Sequence, residues 1–296
     1  MIGLDLAHEY IDSVMTKKNF AIVGVGLMGG SLALKCRKLG LADRIVGVDS
    51  NPVHATTAIE MGLVDEFMSL EDAIKVSDVV ILAVPVGIIA AMLPVVIDHV
   101  THQVVIDMGS TKSALVKSVE FHPNRGRYVA SHPMWGTEYS GPEAAVESAF
   151  QDKAVILCNA ADSDADAVAF AKLMFEALSM HIIEMDAQDH DLHAAYVSHI
   201  SHITSFALAN TVLEKENEDR AIFEMASAGF ESTVRLAKSN PEMWTPILMQ
   251  NRENVLDVLN EHISQLRKFK SCLEKENWEY LNELMSKANQ IKRIIQ

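Results

Sequence analysis

Residues 20–40 leave the chain little freedom in what it folds into. FAIVG, from Phe20 to Gly24, is a short apolar run closed by glycine, the pattern of a buried parallel strand. GVGLMG follows at once, from Gly24 to Gly29. Apolar residues then recur at helical spacing from Ser31 to Leu39, where Gly40 stops them. A strand, a GxGxxG turn and a helix in that order form the opening unit of a dinucleotide-binding sheet. Gly24 allows the tight turn, Gly26 lets a pyrophosphate approach the backbone, and Gly29 lets helix and strand pack closely. The helix N-terminus offers unpaired N–H groups and a partial positive charge to the phosphates, and Leu27 and Met28 of the turn are counted with the glycines as cofactor-binding.

The next strand, Arg44 to Asp49, ends in an acid where a ribose is expected. A carboxylate there accepts from the 2′-OH and repels a 2′-phosphate. Ser50, Asn51 and Pro52 bring no base to neutralise a phosphate, so the pattern points to NAD over NADP. The competing role for Asp49 is a helix N-cap, although Ser50 or Asn51 can serve instead. Further strands are expected at Ser77–Val84, Gln103–Asp107, Lys153–Cys158 and His181–Glu184, with helices through His99 and over Ala165–Leu178. Ligands of a doubly wound sheet sit at the carboxyl ends of its strands. Val84, Gly109 to Lys112 and His132 all fall there. Ser110 is placed to donate to a substrate, or Ser110 or Thr111 caps the next helix. SHPMWGTEYSG, from Ser131 to Gly141, reads as an exposed loop. Its His132 is either a general base facing a cleft or a turn histidine solvating itself.

From Asp186 onward nothing alternates, and only helical patterns remain. The chain divides there into an α/β domain, residues 1–186, and an all-helical domain, residues 187–296. Residues 1–16 read as an N-terminal extension. Four histidines crowd residues 190–202. On a regular helix of about 100° per residue, His190 and His193 share one side. His199 and His202 then share a roughly opposite face, so no metal site is expected. That second face lines a pocket or holds satisfied core histidines. Arg235 stands in a small, apolar stretch, either as a structural salt bridge or as a clamp for a carboxylate. Trp244 follows closely and packs on either kind of site. The net charge of -15 argues against a nucleic-acid or acidic-membrane partner. Three widely spaced cysteines fit a reducing compartment, and no apolar run is long enough to span a membrane. A cytoplasmic protein is expected.

Five segments together resemble the prephenate dehydrogenase family: GVGLMGGSLA, DMGSTKSAL, SHPMWGTEYSGPEAA, DHDLHAAYVSHISH and SAGFESTVRLAKSNPEMW. The likeness runs from Phe20 to about Ile263, and the segment from Lys268 to Gln296 looks like an extra helix beyond it. The resemblance implies an N-terminal Rossmann-like domain followed by an all-α dimerisation domain. It implies NAD-dependent oxidative decarboxylation of prephenate in tyrosine synthesis. His132 would take the proton of the ring hydroxyl, while Ser110 holds that hydroxyl and steadies His132. Arg235 would bind a substrate carboxylate, with His199 and His202 lining the pocket and Thr137, Glu138 and Trp244 closing it. Trp135 is bulkier than the small residue of many relatives and is expected to reshape the pocket near the nicotinamide.

Arogenate dehydrogenase, with an amine in place of the keto group, shares these motifs. A non-catalytic NAD sensor would keep Gly24 to Asp49 but has no reason to keep His132 and Arg235 together. The stretch from Leu192 to Leu213 carries no acid, Lys or Arg. A helix with no charged face must be buried nearly all round, and a second copy packed by two-fold symmetry would bury it. A homodimer joined through the helical half is expected.

Overall fold

The computed structural model describes residues 17–216 and 221–294; the expected N-terminal extension over residues 1–16 lies outside them. β1 (Lys18–Val23), α1 (Leu27–Lys38), β2 (Ala42–Val48), α2 (Pro52–Glu60), β3 (Glu66–Phe67) and α3 (Leu70–Val76) open the chain. β4 (Val79–Leu82), α4 (Val86–His99), β5 (Val104–Asp107), α5 (Ser113–Ser118) and β6 (Tyr128–Pro133) continue it. Then come β7 (Ala154–Cys158), α6 (Ala165–Ala177) and β8 (His181–Met185). All eight strands join one sheet, in the order β3-β2-β1-β4-β5-β6-β7-β8. Every pairing is parallel except β6 with β7. The first six strands therefore have the doubly wound order, whose direction reverses between β1 and β4 and opens a crevice at their carboxyl ends.

The sheet differs from expectation at β6. Ser131, His132 and Pro133 are not loop but strand, paired with Leu157, Ile156 and Val155 of β7. Pro133 is tolerated because β5 has already ended: its last pairing is Asp107 with Ala130. The missing N–H faces no neighbour on that side. Alternation puts Tyr128, Ala130 and His132 on the same face of the sheet.

After Met185 only helices follow among the described residues. α7 (Ala187–Ala194) runs through a π turn, Ala195–His199, into α8 (Ile200–Glu216). α9 (Ala221–Glu224) and α10 (Ala228–Val234) lead to a 3-10 turn at Arg235–Lys238. α11 (Pro241–Gln250), α12 (Arg252–Glu274) and α13 (Trp278–Ala288) complete the helical part. Lys268 thus lies inside α12, and the last helix starts ten residues later, at Trp278, where Asn277 accepts from Tyr280 N–H as its cap. The two parts share a core. Ala187, Trp244 and Ile247 pack in one cluster with Val86, Ile89, Leu93, Tyr128 and Ala130. No helix among the described residues is long and apolar enough to cross a membrane.

One buried ion pair ties β5 to β6. Lys112 and Asp107 are both 0% exposed, and Lys112 Nζ bonds Asp107 Oδ2. Lys112 Nζ also donates to the Ser131 carbonyl at 2.7 Å. Asp107 accepts in addition from Tyr128 OH at 2.7 Å, from Gly109 N–H at 2.9 Å and from Ser131 N–H at 3.2 Å. Losing one partner of such a pair strands the other charge. Lys112→Met should therefore lower the unfolding free energy by about 3–5 kcal/mol in urea titration. Adding Asp107→Leu should recover part of that loss. A single-variant loss below about 1 kcal/mol would mean that the pair is not formed in solution.

Candidate active site

The glycine turn is built to admit an anion. Gly24 has φ +90°, and a side chain there would strike Val84 and the Ala83 backbone. A Cβ at Gly29 would meet the Gly24 carbonyl. At Gly26 a Cβ would meet nothing within 4 Å, so the space in front of this glycine is open. Gly26 is the N-cap of α1 and makes no side-chain bond, and the first turn carries no acid. The N–H groups over Leu27 and Met28 thus face the opening without a carboxylate competitor. Asp49 stands beside it, its Oδ2 accepting from Val25 N–H at 3.1 Å and its Oδ1 from Asn51 N–H at 2.9 Å. The α2 cap is Asn51, which accepts from Val53 and His54 N–H, so Asp49 is free of capping duty. A dinucleotide fits these residues.

The loop after β6 folds back over α1. Val146 N–H donates to Ser31 Oγ at 3.0 Å, and a Cβ on Gly30 would touch Ala145. Trp135 is half-buried and packs on Phe150, with ring centroids 6.0 Å apart.

His132 lies at the carboxyl edge of the sheet and meets α7. Its Nδ1 is 2.8 Å from His190 Nε2, and His190 Nδ1 is 2.8 Å from Asp191 Oδ1. Asp191 also accepts from Lys112 N–H at 2.8 Å and Ser113 N–H at 2.9 Å. It therefore caps α5 from another element, a part expected of Ser110 or Thr111. Thr111 instead donates to Gln250 Oε1 at 2.7 Å. Ser110 is half-buried and makes no side-chain hydrogen bond among the described residues. The partner of His132 Nδ1 is His190, a residue the sequence pattern did not single out for this place. The π turn explains why. It holds one residue more than an α turn, so everything beyond it is rotated by roughly 100° relative to a regular helix. His199 swings toward the side of His190 and is not opposite to it. Asn251 ties it there, its Nδ2 donating to the Asp191 carbonyl at 2.6 Å and lying 3.1 Å from His199 Nδ1.

The wall continues from His199 to Trp244, edge to face at 5.9 Å, and from Trp244 to His202, stacked at 3.5 Å. Trp244 is buried, and its indole N–H has no partner among the described residues. His202 Nδ1 bonds the Ser198 carbonyl at 3.0 Å. Arg235 closes the circuit with a single 3.4 Å ion pair to Glu138, six residues after His132. The Arg235 side chain is 52% exposed, which suits a mobile cation better than a structural staple. Thr137 Oγ1 accepts from Tyr139 N–H at 3.3 Å and shapes the turn beside Glu138. Among the described residues no group of three or more possible ligands is set to hold a metal.

His132, His199 and His202 are all held below their ordinary range. Burial does most of this for His132, followed by His190, Lys112 and His199. Burial lowers His199 to about 4, against the pull of Asp191. Burial and the Arg235 charge lower His202, against its bond to Ser198. Burial alone would raise Asp191, but bonds from His190, Ser113 and Lys112 outweigh it and keep the carboxyl ionised. An unfolded histidine titrates near 6.5. Between that value and the folded one, the unfolded chain binds more protons, so stability present above pH ~6.5 is lost on acidification. His199 alone should cost about 2 kcal/mol between about pH 7.5 and about pH 5, read from urea unfolding. His199→Asn should flatten the slope, and equal slopes in the two proteins would show that His199 titrates normally.

Known proteins carry the same two-part plan. Residues 32–184 match the family model described as prephenate dehydrogenase, nucleotide-binding domain. Residues 186–287 match that described as prephenate dehydrogenase, dimerization domain. The chain is 32% identical to the prephenate dehydrogenase of Bacillus subtilis, covering 90% of this chain and 72% of that one. It is 33% identical to the cyclohexadienyl dehydrogenase of Zymomonas mobilis, covering 90% and 92%. Among solved structures, prephenate dehydrogenase from A. aeolicus in complex with hydroxyphenyl propionate and NAD+ superposes with a TM-score of 0.87 at 30% identity. That match covers 95% of this chain and 99% of the other. A sheet and a helical part that each match the same family, in the same order and with like-folded relatives along nearly the whole chain, make this protein a member of the prephenate dehydrogenase family.

Proposed function

We propose that the protein oxidises and decarboxylates prephenate to 4-hydroxyphenylpyruvate with NAD, in tyrosine synthesis. The observation that carries this is the neutral, half-buried His132 at the carboxyl edge of the sheet, bonded through His190 to the helical half. Gly24, Gly26, Leu27, Met28, Gly29, Asp49 and Val84 would hold NAD, which supplies the hydride acceptor when bound. His132 takes the proton of the ring hydroxyl, and Ser110, whose hydroxyl is uncommitted, holds the same oxygen. Hydride leaves the carbon that bears the hydroxyl, carbon dioxide leaves from the opposite carbon, and the ring becomes aromatic. A reaction so strongly downhill needs chiefly orientation, a base and charge placement. Arg235 binds a substrate carboxylate, for which it has unused N–H donors. His199, His202 and Trp244 line the pocket, and Thr137 and Glu138 close it. A depressed pKa suits the base, since His132 is then unprotonated well below neutrality.

We place the division between the two domains at Asp186 and infer a homodimer joined through the helical half. Within one chain the charge-free helix is not buried: Tyr196 is 46%, Val197 66% and Leu213 52% exposed. The matched dimerization domain supports a second copy as the cover. The three cysteines are buried and free, which suits the reducing cytoplasm.

NADH formation followed with prephenate and with arogenate side by side tests the substrate; faster turnover of arogenate would replace the proposed reaction with direct formation of tyrosine. His132→Asn should cut turnover by ~10²–10⁴ with NAD binding near normal. Arg235→Gln should weaken substrate binding by ~1.5–3 kcal/mol, seen in KM, with little change in stability. Light scattering on a sizing column should give twice the 32.6 kDa chain mass. A stable, active monomer under dilute conditions would remove the dimer.

A further inference from the structure

We propose that His190 and Asp191 are positioning residues that fix which nitrogen of His132 carries a proton, leaving Nε2 bare as the base. The inference rests on the role given to His132 above. Its ground is the direction in which the hydrogen bonds must run. Asp191 accepts two backbone N–H groups, from Lys112 and Ser113, and has no proton of its own to give. The third contact, with His190 Nδ1 at 2.8 Å, must then be a donation from His190. A neutral His190 with its proton on Nδ1 has a lone pair on Nε2. That lone pair lies 2.8 Å from His132 Nδ1, so His132 donates from Nδ1. A neutral imidazole with its proton on Nδ1 is unprotonated on Nε2. Two hydrogen bonds thus transmit the charge of a carboxylate into the tautomer of a ring two residues removed from it.

The surroundings hold the chain in this direction. Lys112 faces His132 but is spent on Asp107 and the Ser131 carbonyl. His199 faces it from the π turn, with its Nδ1 against the Asn251 amide, which donates to it. On the sheet, β7 offers Ile156, opposite His132 in register, which carries no charge. No other donor competes for the Nδ1 edge among the described residues. When His132 Nε2 takes the hydroxyl proton, its ring becomes an imidazolium. The cation is then shared along the chain toward Asp191, as the carboxylate of a Ser-His-Asp triad steadies its histidine. The proton gained at Nε2 is the one lost by the hydroxyl, and no further reactant is needed.

Nitrogen NMR of imidazole-labelled, NAD-bound protein above pH 7 reads the tautomer directly. His132 should be protonated on Nδ1 in the wild type. In His190→Leu, with no acceptor for that proton, it should move to Nε2, the tautomer that free imidazole prefers. His190→Gln offers an amide oxygen near the lost Nε2 and should restore the wild-type tautomer. Turnover should follow: down ~10²–10³ in the Leu variant with KM nearly unchanged, and within about tenfold of wild type in the Gln variant. A wild-type His132 protonated on Nε2 overturns the proposal, even if the Leu variant does not fold. Equal losses in the Gln and Leu variants overturn it as well. The tautomer is read without substrate, so failure of the prephenate assignment leaves this test standing.

Discussion

The geometry of the site depends on a charge pair that never meets water. Asp107 closes β5, Lys112 precedes α5, and the carbonyl of Ser131 lies in β6. Lys112 bridges all three, so the end of one strand, the turn after it and the residue before His132 are held together. Two buried charges are costly, and their attraction repays the cost only when the remaining lone pairs and protons are used. Here the carboxylate is bonded by Tyr128, Gly109 and Ser131, and Tyr128 keeps its proton because burial and the neighbouring Asp107 push its pKa well up. The gain is less in stability than in definition. His132 is placed by a strand that resists slipping, because a one-residue slip would take the Tyr128 hydroxyl and the Ser131 N–H and carbonyl away from the two buried charges.

On that base the two halves divide the work. The sheet provides the nucleotide crevice and the ring of His132. The helical half brings His190, His199, His202 and Arg235 to it, and Trp244 and Ile247 seal the junction into the core of the sheet. Asp191 serves both halves. Its carboxylate caps α5 of the sheet domain, where a negative charge at a helix start is favourable, and holds His190 of its own helix. Under the proposed function, half-exposed Arg235 would attract a carboxylate-bearing substrate to a chain of net charge -15.

What the sequence discloses follows the range of the forces involved. The turn from Gly24 to Gly29 is legible because its constraint is local: backbone angle and close approach demand glycine at fixed offsets. Asp49 is legible because the length of one βαβ unit sets its distance from that turn. His132 stands out as a chemical group, yet its strand does not. Pro133 and Gly136 carry turn signals, and the extended partner that overrides them lies more than twenty residues away in β7. Lys112 is legible only as a residue just past a strand end, since nothing nearby announces that it will be buried against Asp107. His190 is hidden for a different reason. The helical wheel assumes an even step, and no residue type between Ala195 and His199 declares a π turn. The trace in the sequence is that His190 stands between two acids, Asp189 and Asp191.

That π turn has a consequence for how the protein can vary. A helix can lose its one surplus residue between Ala195 and His199 and become regular, with its backbone ladder intact. Every side chain beyond would then be turned by roughly 100°. His202, which stacks on Trp244, and Leu213, on the apolar surface, would turn together, because one rigid rod carries both. The pocket wall and that surface share a single angular phase. Chain length at this point acts as a tuning screw: a deletion that alters no functional side chain would detune the site, and no substitution downstream could restore it without moving the surface as well.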